Sequence, residues 1–178
     1  MLLERAKSLL LLVDMQERLV PAMADAAAVT DRCGILLRAA HEIGVPIFAS
    51  EQYPKGLGGT LPQFVDLASR RMEKLEFSAY ANPAIQDALK RAGQSQLVLC
   101  GVEAHVCVLQ TGLDLIEAGY QVFVVADAVA SRRPDSREVA LHRVARAGAT
   151  LITVEMALFE WLRSASAPEF RSISKLIR

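Results

Sequence analysis

The stretch HEIGVPIF, His41 to Phe48, changes character at its centre. Helix-forming residues precede Gly44, and a β-branched and aromatic run follows it. The same grammar returns in RAGQSQLV (Arg91–Val98), EAGYQVFV (Glu117–Val124) and RAGATLIT (Arg146–Thr153). Glycine readily takes the left-handed backbone that ends a helix. The runs after each glycine carry few or no charges, so both of their faces are expected to be buried. Continuous apolar strands alternating with helices predict a parallel sheet covered on both sides, a three-layer α/β/α fold.

Working outward from these junctions, strands are expected near 8–13, 45–49, 72–76, 96–101, 121–126 and 150–154. Helices are expected near 28–43, 83–92, 105–118, 135–147 and 155–164. Segment 50–70 contains EQYPKGLGGTLP and reads as a loop. It is long for a connector, which makes it a candidate lid or substrate loop. The tail after Pro168 is at most amphipathic, a segment to pack on a neighbouring subunit. No linker-like composition interrupts the chain, and its 178 residues suit one domain, 1–178.

Composition narrows the function classes. The hydrophobic content of 52% argues against disorder and leaves apolar surface for a homo-oligomer interface. Twenty basic and twenty acidic residues cancel, with no block of like charge, so neither nucleic acid nor a membrane surface is an expected partner. The apolar run near the N-terminus is broken by Asp14, too short for a membrane span and without a cleavage site. Three cysteines, Cys33, Cys100 and Cys107, lack CxxC spacing. A disulfide framework and a zinc site are therefore not expected, and a reducing cytoplasmic setting is. Gly56, Gly58 and Gly59 do not form GxGxxG after a strand, and no GKS or GKT occurs, so no nucleotide cofactor is expected.

In an open parallel sheet, ligands bind beyond the carboxyl ends of the strands. The first run, Leu9–Val13, ends in Asp14. The third carries Lys74. The fourth, Leu97–Gly101, leads through GVEAHVCV (Gly101–Val108) to Cys107. Taken singly, each has an ordinary reading: Asp14 caps the next segment, Lys74 sits on a solvated strand face between Glu73 and Glu76, and Cys107 is a small buried hydrophobe. Together they bring a base, a cation and a thiol to one edge, the set an activated cysteine needs. Cys100 and Cys33 read as packing.

The segments Val13-Asp14-Met-Gln16, Lys74 with Phe77-Ser78, Gly101-Val-Glu-Ala-His-Val-Cys107-Val and Ala126-Asp127-Ala-Val-Ala-Ser131 resemble the isochorismatase-like cysteine hydrolases. Within them the text is most similar to the short isochorismatase-domain proteins. The resemblance runs from the first strand to about residue 160. It implies strand order 3-2-1-4-5-6, a catalytic triad of Asp14, Lys74 and Cys107, and a cis peptide at Val102–Glu103. It also implies an oxyanion hole formed by the backbone N–H groups of Glu103 and Cys107.

The reaction so implied is acyl transfer from a small amide or related carbonyl compound through a thioester. Lowering the thiol pKa below its ordinary value of about 8.5 is then the expected purpose of the charged pair. The Asp-x-His metal motif of nicotinamidases is replaced by Ser50-Glu51-Gln52-Tyr53, so no catalytic metal is expected. True isochorismatases lack the cysteine, so Cys107 argues against vinyl-ether hydrolysis. Gln16, Tyr53 and Phe77 are candidates for a small substrate pocket, with Gln16 either orienting Asp14 or starting the next turn. Asp127 reads as structural, and Arg132–Asp135 as a turn into a helix. A non-catalytic oligomeric binding module on the same scaffold is the competing function. A redox-sensing thiol is the third, though it has no resolving cysteine at CxxC spacing.

Overall fold

In the computed structural model, which describes residues 1–177, six strands form one parallel sheet. They are β1 (Ser8–Val13), β2 (Ile47–Gln52), β3 (Arg70–Lys74), β4 (Gln96–Val102), β5 (Gln121–Ala130) and β6 (Thr150–Ile152). Their spatial order is β3-β2-β1-β4-β5-β6. The order reverses between β1 and β4, which pair in register from Ser8 opposite Gln96 to Val13 opposite Gly101.

The sheet is covered on both faces, as its uninterrupted apolar strands require. Every residue of β1 is buried, and its side chains alternate between two cores. Leu10 and Leu12 enter one with Cys33, Leu36, Cys100, Phe123 and Trp161. Leu9, Leu11 and Val13 enter the other with Ile85, Leu89, Leu99, Val108 and Val144. Helices α1 (Ala26–Glu42) and α7 (Val154–Leu162) cover the first face, and α4 (Pro83–Ala92), α5 (Leu109–Glu117) and α6 (Pro134–Arg146) cover the second. Burying each large aliphatic side chain stabilises the fold by roughly 1.5–3 kcal/mol, an upper figure for an extended reference chain.

Helix α4 illustrates how local sequence sets an element. Asn82 caps it, its Oδ1 accepting from the N–H groups of Ala84 and Ile85 at 3.1 and 3.3 Å. Pro83 occupies the first turn, where no N–H partner is lost. Ile85, Ala88 and Leu89 recur at helical spacing and form the buried face. Gly93, with φ +77°, ends the helix.

The structure departs from the sequence expectations at several points. Strand β3 begins at Arg70 rather than Met72. As an edge strand it exposes Arg70, Arg71 and Glu73, so charge does not exclude them. Strand β5 continues through Asp127 to Ala130. Its register against β4 jumps between Leu99 and Gly101, and the intervening bulge lets Asp127 turn aside and accept the N–H of Val154 at 2.8 Å. Arg137 closes the bulge by donating to the carbonyls of Ala126 and Val129.

Segment 50–70 is not a free loop. It contains two short helices, α2 (Pro54–Leu57) and α3 (Pro62–Val65), each with proline in its first turn. Backbone bonds from Glu17, Arg18 and Leu61 to Gly59, Leu57 and Met15 stitch it to the segment after β1. The tail also differs from expectation. Short helix α8 (Phe170–Ile173) packs back on its own chain: Ile173 is buried in the first core, and Phe170, Leu176 and Ile177 lie against it. These apolar residues find an intramolecular partner in the α1/α7 face. Among the described residues no helix is long and apolar enough to cross a membrane.

Candidate active site

The carboxyl ends of β1, β2, β3 and β4 supply the site. Asp14 directly follows β1 with φ +49°, a left-handed backbone that aspartate tolerates better than most residues. This turns the chain sharply, and the carboxylate is fully buried. Lys74 ends β3, opposite Gln52 of β2. Its position is two strand spacings from β1, roughly 10 Å, which only a long side chain can span. Lys74 does span it: its Nζ donates to Asp14 Oδ2 at 2.8 Å, and neither side chain of this ion pair is exposed.

Such a pair is tolerable out of water only when its remaining hydrogen-bonding capacity is filled. Here it is. Lys74 Nζ also donates to Gln52 Oε1 at 2.7 Å and to the carbonyls of Glu76 and Phe77, both at 3.2 Å. Asp14 Oδ1 accepts from Ser50 Oγ at 2.6 Å. Ser50 and Gln52 were not singled out in the sequence, although both lie at the end of β2 and the strand-end rule applies to them equally.

Cys107 stands in a single π-helical turn, Ala104–Val108, between β4 and α5. The preceding Val102–Glu103 peptide is cis. Gly101 has φ +109°, and a Cβ there would lie 2.1 Å from the carbonyl oxygen of Val13. The close approach of β4 to β1 at the strand ends therefore requires glycine. Cys107 is 5% exposed, and its thiol is close enough to Asp14 and Lys74 to feel both side chains. Asp14 and Lys74 thus meet directly, and Cys107 lies near enough for both to act on its thiol.

The thiol's acidity is the reverse of the sequence expectation. Burial pushes the thiol pKa up to about 12, the Asp14 carboxylate pushes the same way, and Lys74 opposes them. The physical reason is that the ammonium is already committed to Asp14, so the sulfur meets a neutralised pair in a poorly hydrated site. The Cys107 thiol therefore holds its proton more tightly than a free cysteine does.

The other candidates separate. Gln16 is buried, and its amide is consumed by backbone: Nε2 donates to the carbonyls of Gln52 and Gly58 at 3.0 and 2.7 Å, while Oε1 accepts the N–H of Gln52 at 2.7 Å. It joins β2 to the following segment and does not touch the Asp14 carboxylate. Tyr53 lines a cleft of about 370 Å³ together with Pro54, Lys55, Leu75 and Glu76, alongside Lys74. Phe77 is 55% exposed and lies outside that lining. Glu103 is held by Arg132 at 2.8 Å, and His105 Nδ1 is paired with Ser131 Oγ at 2.9 Å. Cys33 and Cys100 are free thiols enclosed in the first core.

Comparison with known proteins agrees with this architecture. The isochorismatase domain model matches residues 8–156. The chain belongs to the isochorismatase family. Among family relatives, mouse isochorismatase domain-containing protein 2A is 41% identical over 96% of this chain and 82% of its own length. The MAR1 ribonuclease of Caenorhabditis elegans superposes with a TM-score of 0.93 at 34% identity, covering 99% of this chain and 92% of that one. YcaC of Pseudomonas aeruginosa, described with hexane-2,5-diol and covalent acrylamide, gives 0.92 at 26% identity, covering 98% and 91%. YcaC of Escherichia coli, described as an octameric hydrolase of unknown specificity, gives 0.91 at 28%, covering 99% and 89%. The isochorismatase-family fold is a hydrolase fold, and it accounts for the strand order seen here.

Proposed function

We propose that this isochorismatase-family protein is a cysteine hydrolase of a small amide or related carbonyl compound. The observation that carries the reading is the buried Asp14–Lys74 ion pair set beside the Cys107 thiol at one edge of the sheet, beyond the ends of β1, β3 and β4. The covalent acrylamide on a structural relative supports a reactive nucleophile in this scaffold.

Because the thiol rests neutral, sulfur does not wait as a thiolate. As Cys107 Sγ bonds to the substrate carbonyl carbon, its proton passes to Asp14, and the carbonyl π pair moves onto oxygen. The N–H groups of Glu103 and Cys107 receive that oxyanion. Protonated Asp14 then gives its proton to the leaving nitrogen as the C–N bond breaks, leaving a thioester. Water attacks the thioester with Asp14 as base, the C–S bond breaks, and sulfur recovers the proton. Lys74 balances the Asp14 charge whenever that carboxylate is ionised and has fixed partners in Gln52 and two carbonyls, so little reorganises during the cycle.

The chain acts as one domain, 1–178, and assembles as a homo-oligomer, as the octameric relative does. Tyr53, Leu75 and Phe77, exposed together near the site, favour a subunit contact there and keep a non-catalytic binding module as the second reading. RNA, suggested by the C. elegans relative's name, is the weaker substrate for a chain of zero net charge. The test is a panel of small amides with mass spectrometry of the intact protein. We expect an acyl adduct on Cys107, absent from Cys107→Ala. Full turnover by folded Cys107→Ala would overturn the assignment.

A further inference from the structure

Helix α6 covers the second core with Ala140, Leu141 and Val144. Its outer side carries a feature that the fold does not require. Val139 is 66% exposed, the most exposed large apolar side chain in any helix of the described residues. Asp135 stands four residues before it and Arg143 four residues after it. The three form one i±4 row along the helix, each step being about 6 Å of rise. The row borders a cleft of about 310 Å³, whose other walls include His105, Leu109 and Ala140. His105 belongs to the π-helical turn that carries Cys107.

Both charges of the row are open to a new partner. Among the described residues Arg143 has no ion-pair partner. Asp135 pairs with Arg133 at 2.9 Å, but the two side chains are 64% and 75% exposed, and a pair in that position contributes little. A twofold axis near Val139 uses the row twice. Under such an axis residue i of one copy meets residue j of the other, and j meets i. The two helices run antiparallel, so Asp135 faces the partner's Arg143, Arg143 faces the partner's Asp135, and the valines meet at the centre. Packing i±4 rows against each other is the commonest way for helices to cross. A parallel pairing would set each charge against its own copy, so the order of charges selects the antiparallel one.

Resting on the homo-oligomer reading, we propose that this face of α6 docks a second copy of the chain about a twofold axis near Val139, separately from any contact at Tyr53, Leu75 and Phe77. The contact covers Val139 and closes the cleft beside the turn that holds Cys107.

The test is charge reversal, with assembly read by native mass spectrometry and sedimentation at micromolar concentration. Asp135→Arg alone and Arg143→Asp alone each oppose like charges twice per contact. We expect each variant to form assemblies of at most half the wild-type subunit number. Mixing the two variants places opposite charges at both ends of every mixed contact, so the wild-type number should return with both chains in each assembly. Val139→Cys gives a second route should charge reversal disturb folding. That position meets its own copy near the axis, and the three native cysteines are buried, so mild oxidation should yield a covalent dimer in non-reducing electrophoresis. An oligomeric wild type whose assembly survives both reversals overturns this interface alone. So do folded variants that fail to recombine on mixing, or a Val139→Cys chain that does not cross-link. A monomeric wild type removes the homo-oligomer reading as well, and leaves the face to solvent or to a different protein.

Discussion

Replacing Lys74 by Met tests the central pair of the site. Methionine approximates the stem of lysine and removes the ammonium. Asp14 would remain fully buried, its carboxylate left with the Ser50 hydroxyl at 2.6 Å as its side-chain donor. Gln52 Oε1 and the carbonyls of Glu76 and Phe77 would lose the same donor. Breaking one side of a buried pair costs about 3–5 kcal/mol, because the remaining charge is uncompensated. That is a large share of the roughly 5–15 kcal/mol that holds a domain together. Urea unfolding at neutral pH measures it. With a slope near 2 kcal/mol per molar, the midpoint should fall by about 2 M. The double variant Asp14→Asn with Lys74→Met supplies the control, since it removes both charges together. Its loss should be smaller than the sum of the single losses by at least about 1 kcal/mol. If Lys74→Met costs less than about 1 kcal/mol, or the two losses simply add, the pair is not the coupled, desolvated unit its geometry describes.

Two further expectations concern Cys107 and the strand before it. Gly101→Ala would drive a methyl group against the Val13 carbonyl at a positive φ, so we expect a loss of about 3 kcal/mol or more and a melting temperature lower by about 6–12 °C; an unshifted transition would contradict the close strand approach. The raised pKa of Cys107 ties stability to alkaline pH. The unfolded thiol ionises near pH 8.5–9 while the folded one holds its proton to about 12, so the stabilising contribution is intact below about pH 9 and is lost as pH rises towards 12. By pH 10 the wild type should have lost on the order of 1 kcal/mol more than Cys107→Ala, read from urea midpoints at pH 8 and pH 10. Equal pH dependence in the two proteins would mean that the thiol is not so enclosed.

Much of this arrangement is legible in the linear chain because it depends on period and on strand ends. Apolar runs after Gly44, Gly93, Gly119 and Gly148 are enough to name a parallel sheet covered on both faces. Once strands run parallel, residues at their ends share an edge, so Asp14, Lys74 and Cys107 can be named without coordinates. Boundaries are less legible. The sequence offers no sign that Arg70 and Arg71 belong to a strand, since that depends on β3 being the sheet edge. Nor does it show that Asp127 interrupts no strand, since that depends on a bulge and on a distant N–H at Val154.

Residue identity and order therefore determine the architecture, the family and which three side chains share the site, because these follow from local preference and from topology. Tertiary structure alone decides the electrical state of those groups. Whether lysine lowers the pKa of a thiol depends on which atom its ammonium already satisfies and on how deeply the thiol is buried. Here the ammonium is given to Asp14, and burial raises the pKa of the sulfur. Such competition is a property of distances and burial in three dimensions, and no spacing along the chain encodes it.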